Sequence, residues 1–342
     1  MNVWKPSAKL TTILYTILHF CVDGLCSFVI FSSLYKEGSS LNTYIFLAYN
    51  MLAFVTQPLV GLLQERIKCE KITLGIAAVL LVLGVIFKFV PVISPIFLGI
   101  GNSFFHISGG KHVIEKTNNN IIYLGIFVST GAIGLILGQI YHTTILLWVF
   151  LGLLVVLSII LIMSRMDKLE TTNNVEIKKP HLLILVFLVI VVFVRAFIGK
   201  GSPINFALSN TMLVFIYIAT AIGKALGGVV AKLFSINKTM IVSLVLATIF
   251  LVIGDQNPYL YFIGISLFNF TMPITLYLMG EAWPHHQAIG FGLLAAVLFP
   301  GYLLGLLYFN LILIKVLIII LNLLSIALII YCNMRLKKVQ DA

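Results

Sequence analysis

Two pairs of polar side chains stand out because they lie inside otherwise apolar stretches and are spaced by four residues. His19 and Asp23 form the first pair, and Asn102 and His106 form the second. Residues four apart share one face of a helix. A carboxylate beside an imidazole can hold or release a proton, so we expect Asp23 to couple protons and His19 to tune it. The alternative is a hydrogen-bonded pair that only fixes helix packing.

Four polar residues in apolar stretches are candidate substrate contacts, because such a group is costly in hydrocarbon unless it is paired or faces water. They are Asn102, His106, Arg195 and Asn269. For Arg195 the alternative is a side chain that extends to the outer membrane interface. For Asn269 a hydrogen bond between helices is the simpler explanation, and nearby Pro273 is expected to break its helix locally.

The remaining reactive residue types form no recognisable chemical pattern. The four cysteines lack the paired spacing of a metal site, and the sequence has no nucleotide-binding loop and no partnered nucleophile. We therefore expect no metal, no cofactor and no enzyme activity. His285 and His286 are predicted to be solvated in a polar connection. Lys224 is expected either to stabilise a latch at the inner end of its helix or to extend to the interface.

The elements that carry these residues are predicted to be membrane-spanning helices. Of the 342 residues, 61% are hydrophobic and 10% are charged, which leaves too little polar surface for a water-soluble globule of this size. Apolar runs of the length that crosses a bilayer recur along the chain. The predicted fold class is an all-α membrane protein of about twelve spans: Leu10–Leu34, Thr43–Leu63, Ile72–Val90, Pro95–Ile114, Ile121–Tyr141, Ile145–Met163, Leu182–Ile198, Leu208–Phe234, Met240–Gly254, Tyr259–Met279, Ala288–Tyr308 and Leu311–Cys332.

The positions of the positive charges predict the orientation of these spans. The formal net charge is +11, and most Lys and Arg residues fall in alternate connections, with Lys36, Lys88, Lys200 and Lys315 on the opposite side. This asymmetry is typical of the positive-inside rule. It accounts for the positive net charge, so we expect no nucleic-acid partner. We expect both termini in the cytoplasm, an uncleaved first helix, and a location in the cytoplasmic membrane of a prokaryote.

A glycine pattern divides the chain into two halves. Shifting the sequence by about 167 residues places Gly125, Gly134 and Gly138 on Gly292, Gly301 and Gly305, and Gly61 on Gly228. The one long polar stretch lies between the repeats and is predicted to be a solvated linker. The predicted domains are therefore a six-helix half at 1–164, a cytoplasmic linker at 165–181 and a second six-helix half at 182–342.

The connection after the second span resembles a signature of the major facilitator superfamily. Its sequence from Gly61 to Lys68 keeps the glycine and Arg66 of the Gly-x-x-x-Asp-Arg-x-Gly-Arg pattern and has Glu65 in place of aspartate. The equivalent connection in the second half, from Gly228 to Lys232, has no acid. The resemblance implies a central cavity lined by the first, fourth, seventh and tenth helices. It also implies a gating role for Gly61, Glu65 and Arg66 in alternating access.

Two further stretches refine that resemblance. The fifth helix, from Gly125 to Gly138, is similar to the glycine-rich motif of the superfamily's antiporters. His19 and Asp23, together with the run from Gly99 to His106, look like the fosmidomycin-resistance type of efflux protein. The resemblance implies a monomeric, proton-coupled transporter of a small molecule, with efflux of a drug or metabolite favoured. Uptake of an organic anion, a sensor without transport and an intramembrane enzyme remain alternatives.

Overall fold

The computed structural model describes residues 4–36, 39–67, 70–164, 181–307 and 309–340, and within these ranges the chain forms helices and turns without a β-strand. The predicted linker therefore lies outside the described residues, apart from His181. Lys68 and Cys69 of the connection after the second span lie outside them as well. Over the described ranges, the predicted all-α fold class is confirmed.

Helical segments are numbered α1 to α12, and a helix that continues through a π-helical turn or a kink is counted as one. Their bounds are α1 (Ala8–Leu34), α2 (Leu41–Ile67), α3 (Glu70–Ile86), α4 (Ser94–Lys116), α5 (Ile121–Ile140), α6 (Thr144–Met163), α7 (Leu182–Gly201), α8 (Asn210–Phe234), α9 (Ile236–Gln256), α10 (Pro258–Ala282), α11 (Gln287–Gly305) and α12 (Leu311–Gln340).

Ten of these segments in the described part of the chain have the length and composition needed to cross a bilayer. The two others are α3, which has 17 residues, and α4, which has 23 residues and carries Asn102 and His106. The predicted bounds differ from the observed ones by a few residues at most ends. The largest difference is at α12, which continues past Cys332 to Gln340 because its charged last turns still favour the helical conformation.

Prolines account for two of the breaks within the long helices. The ring of a proline clashes with the carbonyl four residues earlier, so Pro273 disrupts α10 at Asn269 and Pro300 disrupts α11 at Ala296. The regular helix does end at Phe268 in the first case and at Ala296 in the second. The break predicted beside Pro273 is thus observed, and it places Asn269 at the turn between the two parts of α10.

The repeated glycines of α5 and α11 make similar close contacts with neighbouring helices. A side chain at Gly134 would collide with the carbonyl oxygen of Phe20 on α1, and one at Gly301 would lie 2.6 Å from that of Phe193 on α7. Glycine at these positions lets α5 approach α1, and α11 approach α7, to backbone contact. The contacts of Gly125 with Lys224 and of Gly292 with Gln57 do the same between α5 and α8 and between α11 and α2.

We predict that Gly134→Leu destabilises the protein by about 1–3 kcal/mol or prevents its assembly, because the new side chain has no space against α1. Gly152→Leu is the matched control, since Gly152 on α6 has no atom within 4 Å of a built Cβ. Thermal unfolding and size-exclusion profiles of the purified variants measure the difference. Equal melting temperatures for the two variants would show that the α1–α5 contact is not tight.

Candidate functional site

The two polar pairs predicted from the sequence meet in the middle of the bundle. His19 Nε2 lies 3.1 Å from Asp23 Oδ2 on the same face of α1. His106 on α4 places its Nε2 3.0 Å from His19 Nε2 and 3.9 Å from Asp23 Oδ1. We call His19, Asp23 and His106 the His–Asp–His cluster; it joins α1 to α4.

Backbone carbonyls fix the tautomers of both histidines. His19 Nδ1 lies 2.8 Å from the carbonyl oxygen of Phe127, and His106 Nδ1 lies 3.0 Å from that of Asn102. A carbonyl only accepts hydrogen bonds, so each Nδ1 carries the hydrogen and donates it. In the neutral rings both Nε2 atoms therefore present lone pairs to each other and to the carboxylate. Acceptors that face each other at these distances repel, and a single proton or metal ion among them would remove that repulsion.

An amide holds the carboxylate in place and is itself bonded to a phenol. The Asn102 amide donates to Asp23 Oδ1 at 3.1 Å and to the hydroxyl of Tyr49 on α2 at 3.1 Å. Asn102 is fully buried, so its amide hydrogens depend on these acceptors. Asn102 is therefore a hydrogen-bond partner of Asp23. Tyr49 did not stand out in the sequence because tyrosines are scattered along the chain.

The cluster is enclosed by aromatic rings and by a break in α5. The His19 ring centroid lies 5.2 Å from that of Phe127 and 5.9 Å from that of Phe105. Gly131, directly after the break at Thr130, lies so close to His19 and Asp23 that any side chain there would collide with both. Surroundings of low polarity strengthen the electrostatic interactions inside the cluster.

The same three residues could also hold a metal ion. Their ligand atoms all lie within 4.8 Å of one another, and histidines whose Nδ1 donates to a carbonyl are typical metal ligands. The sequence predicted no metal because these ligands come from two distant segments without a recognised spacing. A divalent ion would, however, add its charge to the cations Arg195 and Lys224 of the second half, whereas a single proton adds less.

Those two positively charged side chains, Arg195 on α7 and Lys224 on α8, lie inside the bundle. Arg195 is only 8% exposed, so it does not extend to the membrane interface, and its Nη1 has no hydrogen-bond partner among the described residues. Lys224 is half-buried and lies within electrostatic range of Arg195, Asp23 and His106. The sequence placed Lys224 at a latch or at the interface, and the structure places it beside the candidate site instead.

Asn269 is not brought to the cluster by any contact that the structure describes. Its amide donates to the carbonyl of Ile265 at 2.8 Å, within its own helix, next to the break caused by Pro273. Its Cβ lies against Gly223 of α8. Of the four predicted substrate contacts, His106 and Asn102 lie in and beside the cluster, Arg195 is buried in the second half, and Asn269 stabilises a kink.

Glu65 joins α2 to the start of α11 at the end of the bundle expected to face the cytoplasm. Its Oε2 accepts a hydrogen bond from His286 Nδ1 at 2.7 Å, and its Oε1 accepts one from the backbone N–H of Ile289 at 3.2 Å. The carboxylate thus lies at the N-terminus of α11, where the helix dipole favours negative charge. His286 does lie in the connection before α11 and is partly exposed, as predicted, but the sequence did not indicate that it pairs with Glu65. Gly61 packs against the backbone of Ala288, and Arg66 is exposed.

A second contact between the halves lies at the same end. The turn between α4 and α5 carries Asn118 and Asn119, both with positive φ, a conformation that asparagine tolerates better than most residues. The Asn119 amide donates to Glu281 Oε1 at 2.7 Å and to the carbonyl of Tyr277 at 3.0 Å. No pattern in the sequence indicates this contact, because it depends on how the two halves meet.

The fold is similar to that of solved structures described as transporters. No protein-family model and no curated protein matches the chain. Among solved structures it is similar to a variant of the E. coli fucose:proton symporter FucP, with a TM-score of 0.70, 11% identity, and coverage of 96% of this chain and 99% of that chain.

A second similar structure is FucP in the outward conformation, described as a major facilitator superfamily transporter. Its TM-score is 0.67 at 10% identity, and the match covers 95% of this chain and 99% of that one. At such identity the likeness shows the fold alone. The superfamily resemblance predicted from the sequence is thus confirmed for the fold, and the chain is a multi-pass membrane protein.

We predict that Glu65 and His286 are energetically coupled. Glu65→Gln and His286→Ala are each expected to lower the free energy of unfolding by about 0.5–1 kcal/mol, as for a partly exposed ion pair. The double variant should lose less than the two effects added together, since both changes remove one interaction. Unfolding in lipid nanodiscs measures the cycle, and the exposed neighbour Arg66→Gln is the control. Strict additivity would contradict the pairing.

Proposed function

We propose that this protein is a proton-coupled secondary transporter that moves a small molecule by alternating access. The observation that carries the proposal is the convergence of three acceptors in the His–Asp–His cluster, at 3.0 Å and 3.1 Å, with both Nδ1 atoms already committed to carbonyls. Such an arrangement binds one extra proton and releases it when the acceptors separate. The similar structure FucP is a fucose:proton symporter, which supports the same class of activity.

The proton is shared between Asp23, the only carboxylate in the middle of a described helix, and the two imidazoles. The groups that face Asp23 come from several helices: His19 on α1, Asn102 and His106 on α4, and Lys224 on α8 at electrostatic range. Movement of α4 relative to α1 would change the 3.0 Å distance between the two Nε2 atoms and therefore the affinity for the proton. This links proton binding to helix movement.

The finer topology belongs to the same proposal. We infer twelve spans, with α3 and α4 crossing the membrane although the first is short and the second polar, and both termini in the cytoplasm of a prokaryotic cell. Two six-helix halves at 1–164 and 182–342 are joined by the linker, and the protein acts as a monomer. The equivalent glycine contacts of α5 and α11 support the division into halves. The contacts of Glu65 and Asn119 then close the cytoplasmic end.

Efflux of a drug or metabolite is the second candidate and rests on the resemblance to the fosmidomycin-resistance type. The glycines of α5 that suggested an antiporter are each in contact with α1 or α8, so helix packing also accounts for them. A sensor that binds without transporting, and an intramembrane enzyme, stay the less favoured alternatives. Binding without flux would indicate the sensor, and a chemical product from a bound solute would indicate the enzyme.

We predict that Asp23→Asn separates coupling from transport. In proteoliposomes the variant should keep substrate counterflow, which needs no driving force. Under an imposed pH gradient it should accumulate at least about tenfold less substrate than the wild type. The reason is that an amide cannot hold the shared proton with the two imidazoles. A substrate is first found by thermal-shift screening of metabolites on purified protein, and both transport modes are then measured with it.

Asp255→Asn is the matched control, because Asp255 is a buried carboxylate that pairs with Lys315 away from the cluster. It should keep gradient-driven accumulation. Unchanged accumulation in Asp23→Asn would overturn the coupling assignment. Loss of wild-type coupling after chelation, restored by Co²⁺ or Zn²⁺, would show that the cluster holds a metal ion instead of a proton.

We predict that the direction of transport can be determined by comparing the growth of cells with and without the gene. If the protein exports compounds, its loss should lower the tolerated concentration of at least one compound in a drug and metabolite panel by fourfold or more. If it imports, loss should instead slow growth on a particular nutrient. In either case, cells with the Asp23→Asn variant should grow like cells without the gene. If this variant rescues growth as well as the wild-type protein, proton coupling through Asp23 is contradicted.

A further inference from the structure

We propose that Arg195 and Lys224 form the binding site for an anionic group of the substrate, a carboxylate or a phosphate. The proposal rests on the proposed transporter function and names the substrate class for the same central site. Three observations support it: several other buried or half-buried charges have partners in the described part of the chain and these two do not, both cations lie deep in the bundle, and the total charge around them is positive.

Several charged side chains that are half-buried or buried have partners in the described part of the chain. Lys111 pairs with Glu70 and Glu115, and Lys315 pairs with Asp255. Asp23 and Glu65 bind histidines. Arg195, which is more than nine-tenths buried, and the half-buried Lys224 within its electrostatic range have neither a hydrogen bond nor an ion pair among the described residues. An unpaired cation in such a place is costly unless a ligand supplies the missing charge.

Counted along their helices, the two cations lie well inside the bundle, with Arg195 at nearly the depth of Asp23 and Lys224 somewhat nearer the end expected to face the cytoplasm. At 1.5 Å per residue, Asp23 is about 22 Å along α1 from Ala8, and Arg195 is about 20 Å along α7 from Leu182. Lys224 is about 15 Å from Phe234. All three are measured from the ends expected to face the cytoplasm. This depth excludes a lipid headgroup as the natural occupant, because headgroups lie at the membrane surface.

The total charge of these groups favours an anion. When the cluster holds its proton, the negative charge of Asp23 is balanced, and Arg195 and Lys224 leave two positive charges uncompensated. An anion that binds between the halves compensates them, and protonation of the cluster strengthens its binding. Proton and anion are thus expected to bind together, as in symport, instead of excluding each other. A guanidinium is suited to two-pronged contact with a carboxylate or phosphate, and an ammonium adds a point charge.

The first experiment needs no ligand. Arg195→Met and Lys224→Met remove the unpaired charge and keep an apolar side chain of similar length, so the purified variants should melt at or above the wild-type temperature. Lys315→Met, which breaks the pair with Asp255, should melt several degrees lower. If the Arg195 and Lys224 variants lose as much as the Lys315 variant, the two cations have a structural role and the proposal fails.

The second experiment identifies the ligand class with defined probes. Inorganic phosphate, glycerol 3-phosphate, succinate and lactate are compared with neutral L-fucose and cationic choline, each by thermal shift on lipid-depleted protein. At least one anion should raise the wild-type melting temperature by about 2 °C or more, with a larger rise at pH 6 than at pH 8, and have no effect on Arg195→Met. Stabilisation by neutral or cationic probes only, by none, or equally in the variant would overturn the proposal. So would stabilisation by phosphatidylglycerol alone.

Failure of this inference is distinguishable from failure of the transport function. If the protein carries a neutral solute with a pH gradient and Arg195→Met carries it equally well, the anion site is wrong and the coupled transporter stands. If the anions bind through Arg195 and no flux is found under any gradient, the binding site stands and the transport function is wrong.

Discussion

The cost of placing charge in hydrocarbon is the constraint on which the rest of this structure depends. An ionisable group in the middle of a membrane must be paired, hydrated or liganded, and the sequence contains very few such groups. Asp23 is held by three residues from two helices. The packing of α1 against α4 and α5 can therefore be understood as the shell that one carboxylate and its proton require, with Gly131 providing the space.

The same constraint shapes the ends of the bundle. There, water and helix termini make charge less costly, and the protein uses charge to join its two halves: Glu65 at the start of α11, and Asn119 against Glu281. Backbone-to-backbone packing at the glycines of α5 and α11 adds close contacts between helices within the apolar layer. The apolar layer is held by short-range packing, whereas the ends are held by polar contacts that water can replace. The ends can therefore separate while the helices stay intact.

Much of the fold could be predicted from the sequence, because hydropathy and glycine spacing are properties of single segments. The pairing of His19 with Asp23 followed from a spacing of four within one helix. That His106 would reach His19 did not follow, since it depends on the relative height of α1 and α4. His286 looked like a loop residue because nothing in its own segment reveals Glu65, which is 221 positions away. The burial of Arg195 and Lys224 likewise depends on neighbours from other helices.

The division of charge between the halves explains why a proton and a substrate would act together. The His–Asp–His cluster, which is proposed to bind the proton, lies wholly on α1 and α4, whereas Arg195 and Lys224 lie on α7 and α8, in the proposed second half. In the proposed cycle, Asp23 without its proton is the acid within electrostatic range of Lys224 among the described residues, and its charge partly offsets that of the lysine. With a proton bound, this offset weakens, and an anion between the halves takes over the role of Asp23. One negative charge, supplied either by the protein or by its cargo, is then needed for the central layer to close.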